Sequence, residues 1–281
     1  MKVKFRIFCV MALVIIIFPQ IFSQKLTKIW ESEAIFDTPE SVLVDAVHKC
    51  IYVANIGGKQ PWAKDGVGFI SKLSLDGKMI EKVWVDGFNA PKGMAIANHL
   101  LYVADVDRIV AIDIHKAKIK AEYPVKGGMN INDVAPINKK DVIFSDSGGR
   151  SVYSLIAGKY SKMVDSTFLK RPNGVLVNGN TTYILDNNAI NTWSSGKLIM
   201  LVDGMPGGVD GIESLNANEF IVSCWSGTIY HVDVKNKTKK LLLDTTADKI
   251  NAADIGMDKK KNIIYVPTFF DNKIVAYQYS K

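Results

Sequence analysis

The 281-residue chain carries 35 Lys+Arg against 28 Asp+Glu, a formal net charge of +7, with 48% hydrophobic residues and 3 cysteines. That profile excludes disorder, collagen-like sequence and a disulfide scaffold. The length suits two ordinary domains or one large all-β or barrel domain.

At the N-terminus Lys2, Lys4 and Arg6 precede an unbroken apolar run, Ile7 to Phe18, followed by Pro19 and the small residue Ser23. This is the pattern of a secretory signal peptide over residues 1–23, with an uncleaved membrane anchor as the alternative. The apolar run is shorter than the roughly 20 residues that span a bilayer, and no second such run follows. The expectation is a secreted or periplasmic protein with no transmembrane helix after cleavage, beginning at Gln24. Without those three cations the net charge falls from +7 to +4, which removes the main argument for a nucleic-acid partner. Cys50 and Cys224 lie in apolar, strand-like runs of non-adjacent repeats and are expected to be buried thiols.

From residue 24 onward, short alternating runs rich in Val, Ile, Tyr and Phe are separated by Gly, Asn, Asp and Lys clusters, the signature of an all-β chain. Six segments align. Their first strands begin Pro39-Glu40-Ser41-Val42, Pro91-Lys92-Gly93-Met94, Ile131-Asn132-Asp133-Val134, Pro172-Asn173-Gly174-Val175, Val209-Asp210-Gly211-Ile212 and Ala252-Ala253-Asp254-Ile255, at spacings of 52, 40, 41, 37 and 43. Second strands end at Asn55, Asp105, Asp146, Asp186, Cys224 and Thr268. A period near 40 to 50 residues built of four strands is a propeller blade. The sixth unit runs out of chain after its third strand, and the strand-like stretch Leu26 to Ile35 is available to complete it. The predicted architecture is a single six-bladed β-propeller over residues 24–281, closed by its N-terminal strand.

In such a ring the starts of first strands and the ends of second strands share one face. Glu40, Lys92, Asn132, Asn173, Asp210 and Ala253 are expected at the channel, with Asn55, Asp105, Asp146, Asp186, Cys224 and Thr268 further out. Five acids and one lysine give that face a formal charge of −4, a crowding that a divalent cation would relieve. Carboxylate and amide oxygens from Glu40, Asn132, Asn173 and Asp210 suit Ca²⁺ or Mg²⁺. Turn capping is the competing explanation for Asp and Asn at strand ends, and it accounts well for the outer set. The four histidines fall away from these positions, and the serines have no His and Asp partner pattern. A long loop, Gly57 to Gly68, is expected to overhang this face, with Lys59, Gln60, Pro61, Trp62, Lys64 and Asp65 as an aromatic and cationic lid or as a solvated loop without a ligand. Lysines accumulate in loops of the opposite face, among them Lys116, Lys118, Lys235, Lys237, Lys259 and Lys260, where a solvated surface is the expectation.

At these markers the chain resembles the senescence-marker-protein, gluconolactonase and luciferin-regenerating-enzyme family, which includes regucalcin and is built as six-bladed propellers. Pro39-Glu40-Ser41-Val42 is similar to the first-blade motif of that family, Pro172-Asn173-Gly174 to its Pro/Ser-Asn-Gly motif and Val209-Asp210-Gly211-Ile212 to its Pro-Asp-Gly-Met motif. The resemblance implies Glu40, Asn173 and Asp210 as metal ligands and Asn132 as a substrate-binding residue. Asn130 stands where that family has Arg, and Val134 where its Asn-Asp-Gly motif has Gly.

The function expected from these residues is an exported, metal-dependent lactonase-like hydrolase. Ca²⁺ is the leading cofactor, with Mg²⁺, Mn²⁺ or Zn²⁺ as alternatives. Asp210 is assigned as catalytic base and ligand; Asn132, Lys92, Asn55, Asp105 and Trp62 are assigned to a small-molecule substrate. The alternative is a non-catalytic propeller that binds a small molecule, glycan or protein on the acidic face.

Overall fold

A computed structural model describes residues 24–58 and 60–281. The expectations placed on residues 1–23, and on Lys59 of the long loop, lie outside the described residues.

Six four-stranded antiparallel sheets form the blades, each in simple up-and-down order. Blade 1 consists of Pro39–Asp45, Cys50–Asn55, Gly68–Ser74 and Met79–Phe88. The first strands of blades 2 to 5 are Pro91–Ala97, Ile131–Pro136, Pro172–Asn178 and Val209–Ser214, close to the predicted starts. Blade 6 begins later than its motif, at Gly256–Asp258. The 252–255 segment runs instead beside blade 1, where the Asp254 amide donates to Glu40 O at 3.0 Å and the Val42 amide donates to Asp254 O at 3.2 Å. The closing strand is Lys25–Glu31, antiparallel to Ile274–Ser280. Both ends of the described chain therefore meet in one sheet.

Position within a blade follows from hydrophobic pattern. Second strands such as Cys50–Asn55 and Leu100–Asp105 are buried throughout, as expected for a strand covered on both faces by neighbouring blades. Outer strands such as Lys118–Pro124 alternate between exposed and half-buried, because one face meets solvent. The core lies between blades. Tyr52, Trp84 and Phe88 of blade 1 pack with Met94, Leu101, Val103 and Val110 of blade 2, and each such side chain contributes about 1.5–3 kcal/mol on full burial.

Polar clasps join the blades near the channel. Asp133 of blade 3 accepts from the Val175 amide of blade 4 at 2.7 Å, Ser147 donates to Pro172 O at 2.5 Å, and Ser41 of blade 1 donates to Asp254 at 2.5 Å. These clasps explain two marker glycines. A Cβ at Gly93 would overlap Asp133 Oδ1, and one at Gly211 would lie 2.6 Å from Asp254 Oδ1. Cys50 and Cys224 are buried free thiols in separate blades, as expected, and burial pushes the Cys224 thiol up to about 11. No helix among the described residues is long and apolar enough to cross a membrane.

Candidate functional site

The inner markers converge. Glu40, Lys92, Asn132, Asn173 and Asp210 all line one cavity of about 590 Å³ at the predicted face, a size suited to a small molecule. Ala253, the sixth inner marker, is packed with Ile56, Ala90, Val106 and Phe269.

Glu40 is 5% exposed, and its Oε2 is buried with no hydrogen-bond partner. An orphaned carboxylate oxygen in a cavity is costly unless something positive or protonated meets it. Burial raises the Glu40 carboxyl well above its ordinary range; Lys92 opposes that rise and Asp210 adds to it. Asp210 accepts from Asn173 Nδ2 at 2.8 Å. Burial pushes Asp210 up to about 7 against the pull of Asn173 and Lys92. Deeper in the channel, burial pushes Asp133 up to about 7 and raises Asp254 well above its ordinary value.

Lys92 is 1% exposed. Its ammonium donates to Pro61 O at 2.6 Å and sits 4.2 Å from the Trp62 ring centroid, a cation–π geometry. Burial lowers its pKa, while Glu40, Asp105 and Asp210 act to raise it. The long loop of blade 1 thus overhangs the channel as expected, tied across to blade 2 by Lys64 and Asp107 at 2.7 Å. Trp62, expected as a platform for ligand, instead carries the protein's own ammonium.

The outer markers behave differently. Asn55 Oδ1 accepts from the Asp37 amide at 3.1 Å, and its Nδ2 donates to Ser71 Oγ at 2.9 Å. Asp105 accepts from the amides of Asn89 and Ala90 at 2.8–3.1 Å and from Arg108 Nε at 2.8 Å. Asp146 receives the amides of Asn130 and Gly149, and Asp186 those of Lys170 and Arg171. Each caps the loop leading into the first strand of its own blade. Asn55 and Asp105 are therefore turn caps in this structure, and neither lines the cavity. The −4 count loses its force for the same reason, since backbone amides already satisfy three of the five acids. At the cavity itself Glu40 and Asp210 face Lys92 and, on the wall, Arg171.

Sequence patterning overlooked the rim. Trp225, Phe269 and Phe270 line one side of the mouth and Asn187 and Asn188 another. All five directly follow the end of a second strand, the topological place of the Trp62 loop, so the repeat alignment contains the signal that locates them. Three histidines gather at the opposite face: His115 lies 5.4 Å from His48 and 6.0 Å from His99, centroid to centroid, with His48 Nδ1 2.6 Å from Asp45. Among the described residues no group of three or more His, Cys, Asp or Glu side chains is assembled to hold a metal ion.

No protein-family profile matches the chain. It is similar to human NHL repeat-containing protein 2, at 24% identity over 84% of this chain, and spans 36% of the length of that relative. In three dimensions it resembles a presumed gluconolactonase, with a TM-score of 0.70, 12% identity and 94% coverage of both chains. A streptogramin B lyase superposes with a TM-score of 0.63 at 15% identity, covering 92% of this chain and 98% of that one. An inactive virginiamycin B lyase from Staphylococcus aureus, solved with quinupristin, gives 0.63 at 14%, covering 92% and 99%. At such identities the likeness speaks for a shared β-propeller fold alone; the count of six blades comes from the sheets of this chain.

Proposed function

We propose that the protein is a hydrolase of small cyclic or linear esters, lactonase-like and akin to the gluconolactonase and regucalcin family, working in the cavity at the channel mouth. The observation that carries this reading is the orphaned Oε2 of Glu40, a residue that lines a cavity together with Asp210, Asn173, Asn132 and Lys92. Hydrolysis of an ester needs a base for water, a positive group for the developing oxyanion and a dry, shaped site.

The donor set fits a hard divalent cation, Ca²⁺ foremost and Mg²⁺, Mn²⁺ or Zn²⁺ as alternatives. Glu40 offers an unpartnered oxygen, Asp210 a second carboxylate, and Asn173 an amide whose O and N are exchangeable by a flip. When bound, such a cation supplies Lewis acidity to the carbonyl group of the substrate. Asp210 takes the proton from an attacking water and returns it to the alkoxide as the acyl C–O bond breaks. Lys92 steadies the oxyanion, and Asn132, held by its 3.1 Å bond to Ser147 Oγ, orients the substrate.

A panel of lactones assayed with added cations and with chelator tests this reading. Turnover that depends on Glu40 and Asp210 is expected. Full activity in Asp210→Ala overturns the mechanism, and turnover unchanged by chelator removes the cation from it. Lys92 favours a second reading, a binding propeller in which its ammonium already balances the acids; ligand binding without turnover, retained in Glu40→Gln, would select it. Export rests on residues 1–23 and is tested by N-terminal sequencing of protein recovered outside the cytoplasm.

A further inference from the structure

The mouth of the cavity is chemically divided. Blades 5 and 6 contribute Trp225, Phe269 and Phe270 to the rim, and blade 4 contributes Asn187 and Asn188 with Arg171 close by. The aromatic side is unusually exposed for such residues, with Trp225 at 39% and Phe270 at 56%. It is also held in place. The Trp225 amide donates to Gly208 O at 2.7 Å, and its carbonyl accepts from Asn251 Nδ2 at 2.9 Å. Phe269 is buried with φ at 52°, a left-handed conformation that costs energy for an aromatic residue and that tends to persist where function needs it.

The rings meet at right angles. Trp225 lies 5.5 Å from Phe269 at 79° and 6.1 Å from Phe270 at 84°, and the two phenylalanines lie 4.7 Å apart at 89°. Three mutually perpendicular rings form a cornered notch, which another aromatic ring extends in the same edge-to-face packing. A sugar ring needs one broad open aromatic face instead, and the Trp62 face carries the Lys92 ammonium. The volume of about 590 Å³ admits a small molecule and excludes a folded partner.

We propose that the notch of Trp225, Phe269 and Phe270 is a subsite for an aromatic ring, so that the compound handled in this cavity is an aryl-bearing ester or lactone and not a polyhydroxylated sugar derivative. This inference rests on the reading of the cavity as an ester-processing site, but its test separates the two. Calorimetry with three neutral, unreactive amides that differ only in body, 3-phenylpropionamide, hexanamide and gluconamide, reads the subsite directly. The aryl amide is expected to bind about tenfold tighter than hexanamide. In Phe270→Ala the ratio of aryl to alkyl affinity falls to about twofold or less; Trp225→Leu provides a second variant with the same expectation. Equal binding of aryl and alkyl amides, tightest binding of gluconamide, no binding of any of the three, or an advantage untouched by both variants overturns the proposal. A benzo-fused δ-lactone and δ-valerolactone are then assayed for hydrolysis. Aryl-selective binding with neither lactone hydrolysed leaves the subsite standing and removes the hydrolase; hydrolysis of both lactones without aryl selectivity does the reverse.

Discussion

The inner and outer rings of the channel mouth use the same chemistry for opposite ends. Both are dominated by Asp, Asn and Glu at strand termini, on adjoining ends of paired first and second strands. In the outer ring Asp105 has two backbone amides and Arg108 on its carboxylate, whereas in the inner ring Glu40 Oε2 has nothing. A satisfied carboxylate holds a loop; an unsatisfied one in a cavity is free to hold a ligand. The lesson is that residue type alone does not separate a cap from a site, while hydrogen-bond saturation does.

The sharpest way to break that contrast is to remove one member from each ring. Asp210→Asn is expected to lower kcat/KM for the best lactone by at least about 100-fold, with Tm unchanged or raised, in matched steady-state and thermal-melt measurements. A variant with wild-type kinetics would place Asp210 among the structural acids. Asp105→Ala should do the opposite. It leaves the Asn89 and Ala90 amides unmet and Arg108 short of a partner, which costs about 3 kcal/mol of stability and lowers Tm by roughly 6–12 °C. Folded Asp105→Ala should retain its affinity for the cavity ligand, and Asp105→Asn, which keeps an acceptor, should recover part of the lost Tm.

Two smaller effects sharpen the inner ring. If Lys92 and a divalent cation share the Glu40 and Asp210 pair, Lys92→Met should tighten Ca²⁺ binding by about tenfold, read by calorimetry; unchanged affinity would show that the ammonium and the cation do not compete. Deeper in the channel Asp254 tests the cost of burial. Its carboxyl is raised in the fold by burial and by Asp133 and Glu40, so the native state holds the proton more tightly than the unfolded chain. Its stabilising contribution is full below about pH 4, where the unfolded group is protonated, and is lost as pH rises through the folded value. Asp254→Asn never ionises and can keep a hydrogen bond to Ser41. The variant should melt with the wild type at pH 3.5 and about 2–4 °C above it at pH 8; a constant difference across pH would assign the effect to packing.

Much of this was legible in the chain. The second-strand termini recur at a nearly constant distance from the first-strand markers, and that regularity predicts six blades, the closing strand and the channel positions of Glu40, Lys92, Asn132, Asn173 and Asp210. The reason is physical: every blade solves the same packing problem, so its pattern of buried and exposed residues repeats. Blade 6 escaped in detail, because 252–255 pairs with blade 1 across the ring closure, a contact between positions more than 200 residues apart.

The partners of each side chain were not legible. Asn55 and Asp105 look like site residues by position, and only the return of the preceding loop makes them caps. By position Lys92 is assigned to a substrate; the fold places its ammonium on the Pro61 carbonyl and the Trp62 ring. The repeat marks where Trp225, Phe269 and Phe270 lie, just after second strands, but they become one surface only when two blades are set side by side. The chain by itself determined the number of blades, their order and the face on which they start, because those follow from local hydrophobic period. Tertiary structure alone decided which polar atoms are satisfied and which are left over, because hydrogen bonds at a channel mouth are made between loops that sequence distance does not relate.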